Sequence, residues 1–391
     1  MIEGIPMNGE SNKIKTARMA NIELLRIISM MFVIVLHFLD KGGALLDPNI
    51  REFPVYGYVL WGVEALSIVA VNVYMLISGY FLLNSTFQVK RLLNLLLQLL
   101  FYSMGVGLIA GAFGLLPEEG ITIYYLAQLL FPVSTNHYWF MTAYIFMYLF
   151  VPLLSLSVRR MSKKQFQIVL FLLIFTFSIM KSISPIPLAT DLHGYDVVWY
   201  LCVFLVAAYI RMYGFSFFRN KRKSLFVYLL MALLIWGTML GLRFLFLKTG
   251  KLENMLTYSY EYNHIFVLAA SVALFYFFTF ITIKSRFLEK LIRKIAPYTL
   301  GVYLLHEHTA IRYEWPKLIF RITGIPESGT HWILTLLLSV IFIFIIGIAV
   351  DMLRVQFFHG IHVFLSHFAI YRKMLEWITG LSIECQKEEK L

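Results

Sequence analysis

Arg26 and His37 stand eleven positions apart in NIELLRIISMMFVIVLHFLD (21–40), a stretch almost wholly apolar from Ile22 to Leu39. Eleven steps of about 100° return to nearly the same helix face, about 16 Å further along the axis. One face would carry a permanent guanidinium toward one end and a titratable imidazole toward the other. Ionisable groups in so apolar a helix are costly, and they mark sites or pathways. A second reading also stands: Glu23 and Arg26, at i and i+3, neutralise each other, and His37 sits at an interface. A neutral imidazole near a carboxylate can take a proton from a hydroxyl, which makes His37 the candidate base. Glu64 (WGVEAL, 61–66) is the carboxylate expected to orient it or to hold the acceptor. Alternatively His37 accepts the transferred group itself before passing it on. A phosphate-bearing donor would need cations, and Arg26 with Lys90 or Arg91 could supply them.

These residues must be positioned by membrane helices. The chain has 391 residues, 60% of them hydrophobic and only 14% charged, which excludes a soluble core as the main architecture. Spans are expected at about 20–39, 58–83, 92–113, 138–157, 166–181, 196–213, 224–247, 263–283, 297–311 and 331–353. The segment 121–133 is too short to cross and reads as interfacial or re-entrant. The first apolar segment contains Arg26 and lacks a small-residue cleavage site, so it reads as a retained anchor.

A net charge of +12 would suggest nucleic acid in a soluble protein. Here the loops on the side of the N-terminus carry a threefold excess of Lys and Arg, including Lys13, Lys15, Arg18, Arg219–Lys223 and Arg286–Lys294. That asymmetry is the positive-inside signature, with no nucleic acid as partner. The expected fold class is all-α, a polytopic membrane helix bundle of about ten transmembrane helices with cytoplasmic N- and C-termini. Residues 1–19 would be a cytoplasmic segment, 20–353 the integral-membrane domain, and 354–391 a cytoplasmic or interfacial tail around His359, His362, His367 and Trp377.

This orientation gives the polar residues depth. Arg26 falls in the inner half of the first span; His37, Glu64 and His306 fall in outer halves, with Glu307 and His308 beside the last. His137 and Trp139 open the fourth span at the outer level, so His137, Trp139 and His306 are the candidate acceptor contacts. Cys202 and Cys385 lie far apart and imply neither a disulfide framework nor a metal site. There is no P-loop, dinucleotide fingerprint, zinc spacing or Gly-x-Ser-x-Gly elbow. Gly107 and Gly111 have helix-packing spacing, and Ser78-Gly79-Tyr80 reads as a helix terminus with glycine in a left-handed cap.

Arg26-x10-His37, LISGYFLL (76–83), NHYWFMTAYIFMYLFVPLL (136–154) and APYTLGVYLLHEH (296–308) together resemble the membrane acyltransferase-3 family, over roughly residues 20–350. The style of NIELLR and SGYFLL is similar to bacterial polysaccharide O-acetyltransferases. The resemblance implies acyl-CoA, commonly acetyl-CoA, as a donor substrate at the cytoplasmic face, with no permanently bound cofactor. It implies an acceptor hydroxyl on a cell-surface glycan or lipid-linked sugar, membrane lipid as surroundings, and a multi-pass place in the bacterial plasma membrane. Arg26 and His37 become the essential pair. Family members often carry a second basic residue three after the Arg that follows the second span; here Asn94 follows Arg91, which leaves Lys90 as the substitute.

A transporter or flippase for a glycolipid or small solute is the rival from another class. Such proteins often show internal repeats with paired broken helices, and the Arg/His helix has no counterpart in the second half of this chain. A glycan polymerase would need a larger external loop than the two dozen residues between the third and fourth spans.

Overall fold

Residues that are apolar on every side can form a stable helix only against lipid or other helices, and this rule shapes the whole molecule. The computed structural model describes residues 19–115, 120–184 and 191–384. Lys13, Lys15, Arg18, Cys385, Lys387 and Lys390, which enter the charge and cysteine readings, lie outside the described residues, as does nearly all of the 1–19 segment.

Helix α1 (Ala20–Lys41) is central. The second apolar run is broken at Ile68–Val69 into α2 (Val55–Ser67) and α3 (Ala70–Leu82). A two-residue strand β1 (Phe87–Gln88) leads into α4 (Val89–Ala112). The short α5 (Ile123–Leu130) packs back on α4. There the Leu129 side chain fills the space a Cβ on Gly107 would take, and the Ser103 hydroxyl donates to the Leu129 carbonyl at 2.7 Å. The segment 121–133 therefore folds against its neighbour and does not cross.

The chain continues through α6 (Trp139–Arg160) and α7 (Lys163–Ile174), which starts with a Ser162/Gln165 capping box. A π-helical turn, Phe175–Met180, joins α7 to α8 (Lys181–Ile183). Next come α9 (Val197–Met212), α10 (Lys221–Thr249), α11 (Ile265–Thr279), α12 (Arg286–Ile295), α13 (Thr299–His306) and α14 (Glu314–Thr323). The last elements are α15 (Gly329–Leu365), α16 (Ala369–Gly380) and β2 (Ser382–Ile383), which pairs antiparallel with β1.

Among the described residues, eight helical segments are long and apolar enough to cross a membrane. The count of about ten adds α9, with 16 residues, and α13, with eight. A 3-10 turn at Ala296–Tyr298 containing Pro297 precedes α13, so the expected ninth span, 297–311, supplies a short helix rather than a full crossing. It is shielded by α15, α1 and α4, against which it packs.

Burial separates core from rim. In Val55–Leu82 and Glu253–Thr279, 72% of the most apolar window is buried; in Lys163–Ile183 and Lys221–Thr249 it is 22%. The first pair is enclosed by other helices, and the second presents Phe171, Leu172, Phe226 and Leu233 outward, as lipid-facing helices must. The structure is an all-α polytopic membrane bundle.

Two local readings are corrected. Gly79 lies inside α3 and not at a left-handed cap. A Cβ there would sit 2.8 Å from the Ala207 Cβ, so the glycine permits close approach of α3 and α9. Nor does the last long helix stop near residue 353. It runs unbroken to Leu365, about 55 Å at the standard rise and longer than a hydrocarbon core of roughly 30 Å.

Candidate active site

The face of α1 that holds Arg26, Met30, Val33 and His37 borders one cavity of about 240 Å³. Spacings of four, three and four residues are those of a single helical stripe, so the common face read from the sequence is realised. Opposite α1 stand Tyr74 and Ser78 of α3, Arg91 and Gln98 of α4, Trp139 and Tyr144 of α6, and Thr299 and Tyr303 of α13. The cavity has two arginines toward one end of α1 and an imidazole toward the other.

Arg26 is held by its own helix. Its Nε lies 3.4 Å from the Glu23 carboxylate, and the buried Nε has no hydrogen-bond partner. The Tyr74 hydroxyl donates to the Arg26 backbone carbonyl at 3.0 Å, tying α3 to α1 at this level. The two readings of this stretch are thus both partly realised: Glu23 balances Arg26, and Arg26 still faces the cavity with 31% of its side chain exposed.

The tautomer of His37 follows from its neighbours. The Val302 carbonyl can only accept, and His306 Nδ1 lies 2.6 Å from it, so the His306 Nδ1 carries the proton. The Nε2 of neutral His306 is therefore a lone pair, and it lies 2.8 Å from His37 Nδ1. His37 Nδ1–H must donate, which leaves the His37 Nε2 lone pair unengaged. The Glu307 Oε2 stands 3.2 Å from the same Nδ1, within ion-pair distance but without a hydrogen bond to it. His37 is therefore oriented by two consecutive residues at the end of α13.

Those two residues depend on how α13 is seated. Asp351 of α15 is wholly buried. Its Oδ1 accepts from Tyr102 at 2.9 Å, Gln98 at 3.2 Å and Arg354 Nε at 2.6 Å, and its Oδ2 accepts from Arg354 at 3.1 Å. The carboxylate lies directly against Gly301, two residues before Tyr303 and five before His306.

The sequence-predicted residues divide plainly. His37, Arg26, Arg91 and Trp139 share the cavity, whereas Lys90, Glu64, His137 and His306 do not line it. Glu64 is buried, its Oε2 has no hydrogen-bond partner, and it makes no bond or ion pair with His37. The carboxylate that reaches His37 is Glu307. The α2/α3 break and the packing of α13 against α1 give Glu307, not Glu64, the shorter approach. His306 is buried behind His37 and acts on it, so it is not placed to touch an acceptor.

His137 packs beside Tyr138 and His308, with ring centroids 4.4 and 4.7 Å away, and neither of its nitrogens has a partner. Burial, reinforced by His308 and Arg312, lowers its pKa to about 3, so the ring is neutral. Trp139 stacks on Tyr262 and meets Tyr195 at a centroid distance of 4.3 Å, forming an aromatic wall at its end of the cavity.

Sequence reasoning left out Asp351, and it placed Glu307 beside His306 without giving it a role. A signal for the first was present: Asp351 and Arg354 repeat the i, i+3 acid–base spacing of Glu23 and Arg26 inside an apolar run. Among the described residues, one trio, Asp191, His193 and Glu261, has atoms grouped closely enough to suit a metal ion. The Lys181 ammonium already pairs with Asp191 at 2.7 Å and with Glu261, so the chain supplies its own cation there.

The acyltransferase-3 family model, described as an acyltransferase domain, matches residues 19–352. That span contains every residue of the cavity. No curated protein and no solved structure matches the chain.

Proposed function

We propose that this chain, which belongs to the acyltransferase-3 family, moves an acyl group, acetyl by default, from acyl-CoA to a hydroxyl of an envelope or capsular polysaccharide or its lipid-linked precursor. The coarser statement needs no proposal: the protein is a membrane acyltransferase. In the orientation with cytoplasmic termini, in a bacterial plasma membrane, the Arg26 and Arg91 end of the cavity faces inward and His37 lies toward the outer surface. Donor and acceptor then approach the same cavity from opposite sides.

The observation that carries this reading is the joint exposure to one cavity of Arg26, Arg91 and the His37 side chain. Two guanidinium groups suit the phosphates of coenzyme A, which accept charge-assisted hydrogen bonds. His37 Nε2 takes the proton of the acceptor hydroxyl as the oxygen forms its bond to the thioester carbonyl carbon. The carbon–sulfur bond breaks, its electron pair leaves on sulfur, and the thiolate recovers the proton from Nε2. Trp139 and Tyr262, which line the same cavity as His37, offer flat apolar faces to an acceptor. Glu64 has no step in this scheme.

The test uses purified full-length protein in nanodiscs with labelled acetyl-CoA and no added acceptor. Coenzyme A release that disappears in His37→Ala, while coenzyme A still binds, is the expected result. Label retained on the protein would replace direct transfer with an acyl-histidine intermediate. Neither release nor binding by the folded wild type would overturn the proposal.

A further inference from the structure

We infer that Glu307 is the positioning residue that holds the charge created on His37 during transfer. This rests on the acyltransfer reading above. When His37 Nε2 takes the hydroxyl proton, the ring becomes an imidazolium in a cavity walled largely by apolar and aromatic side chains. A bare cation there would be poorly solvated, and a fixed opposite charge lowers the cost of forming it.

Among the described residues beside His37, Glu307 is the anion free to serve. His306 cannot share the charge without losing its own arrangement, because its Nδ1 proton is engaged by Val302 and its Nε2 only accepts. Asp40 is on the same helix as His37, but its carboxylate is largely exposed and paired with Lys41 at 2.5 Å. Tyr303 approaches through its ring, 6.2 Å away between centroids. Glu307 is buried, and its Oε2 lies 3.2 Å from His37 Nδ1 with no hydrogen-bond partner of its own. Its other oxygen is 3.7 Å from Arg312, close enough to help keep the carboxylate ionised and too far to tie it up.

Charge and geometry then act together. The Nδ1 proton stays on His37 throughout, donated to His306 with the Glu307 carboxylate beside it, and the transferred proton enters and leaves at Nε2. Glu307 changes no bond. It fixes the ring and balances the imidazolium, as a buried carboxylate does behind a histidine base.

The experiment measures coenzyme A release from acetyl-CoA, with water as the acceptor, by full-length protein in nanodiscs. It compares wild type, Glu307→Gln and Glu307→Asp, and measures coenzyme A affinity separately by calorimetry. Glu307→Gln should lower kcat on the order of a hundredfold with KM and coenzyme A affinity unchanged, and Glu307→Asp should recover part of kcat. A Gln variant with full kcat overturns the inference. So does a Gln variant that loses affinity along with kcat and is not rescued by Asp, because that is the behaviour of a purely structural residue. A wild type that releases no coenzyme A overturns the acyltransfer reading itself, and this inference with it.

Discussion

The Asp351 carboxylate occupies the place where Gly301 would need a side chain: a Cβ on Gly301 would lie 2.3 Å from Asp351 Oδ1. Through this contact α15 sets the height and rotation of α13, and α13 carries His306 and Glu307 to His37. Gly301→Ala should therefore displace α13 and abolish coenzyme A release even though no cavity group is altered. Asp351→Ala leaves the Arg354 guanidinium without its partner and should cost about 3 kcal/mol or more. Thermal denaturation in nanodiscs checks both. A Gly301→Ala protein with wild-type melting and activity would show that the contact relaxes at no cost.

His306 fixes the His37 tautomer through a 2.8 Å hydrogen bond, so His306→Phe should lower kcat by roughly a hundredfold at unchanged donor affinity. The cause would be loss of the acceptor that holds the His37 ring in place with its proton on Nδ1. A residue that instead contacted the acceptor would change acceptor KM and leave donor-only coenzyme A release intact. Steady-state kinetics with and without acceptor separates the two.

Glu64→Gln should retain coenzyme A release within a few-fold of wild type. The side chain keeps its shape, and Glu64 makes no hydrogen bond or ion pair with His37. The same release assay checks this, and a loss matching that of Glu307→Gln would restore Glu64 to the mechanism.

The Arg26/His37 stripe was readable because a helix has one period and eleven residues nearly close it. The run of apolar segments likewise announced the bundle, and APYTLGVYLLHEH pointed to the segment that meets α1. Which carboxylate serves His37 was not readable. Glu64 and Glu307 lie on different elements, and only the packing of α1, α13 and α15 chooses between them. Lys90 and Arg91 are neighbours in sequence but diverge by about 100° around α4, so one faces the cavity and the other does not. The true extent of α13 was hidden for a related reason: hydropathy registers apolar residues and does not register the turn at Pro297.

Arg26 and Arg91 approach the cavity from α1 and α4, and each is free of competition from a bidentate carboxylate: Arg26 meets Glu23 only through Nε, and Arg91 lies over the Tyr148 ring. Their terminal nitrogens are therefore the natural contacts for an anionic donor. Arg26→Ala and Arg91→Ala should each weaken coenzyme A binding by about ten- to hundredfold, the loss expected for a hydrogen bond to a charged group. Donors lacking the nucleotide phosphates, such as acetyl-pantetheine, should be bound alike by wild type and variants. Lys90→Ala should leave affinity nearly unchanged, since Lys90 does not border the cavity. Calorimetric titration of coenzyme A against the three variants decides the assignment. Equal losses in all three would mean a diffuse electrostatic attraction at the surface, and a loss confined to Arg26 and Arg91 would place the donor phosphates within the cavity.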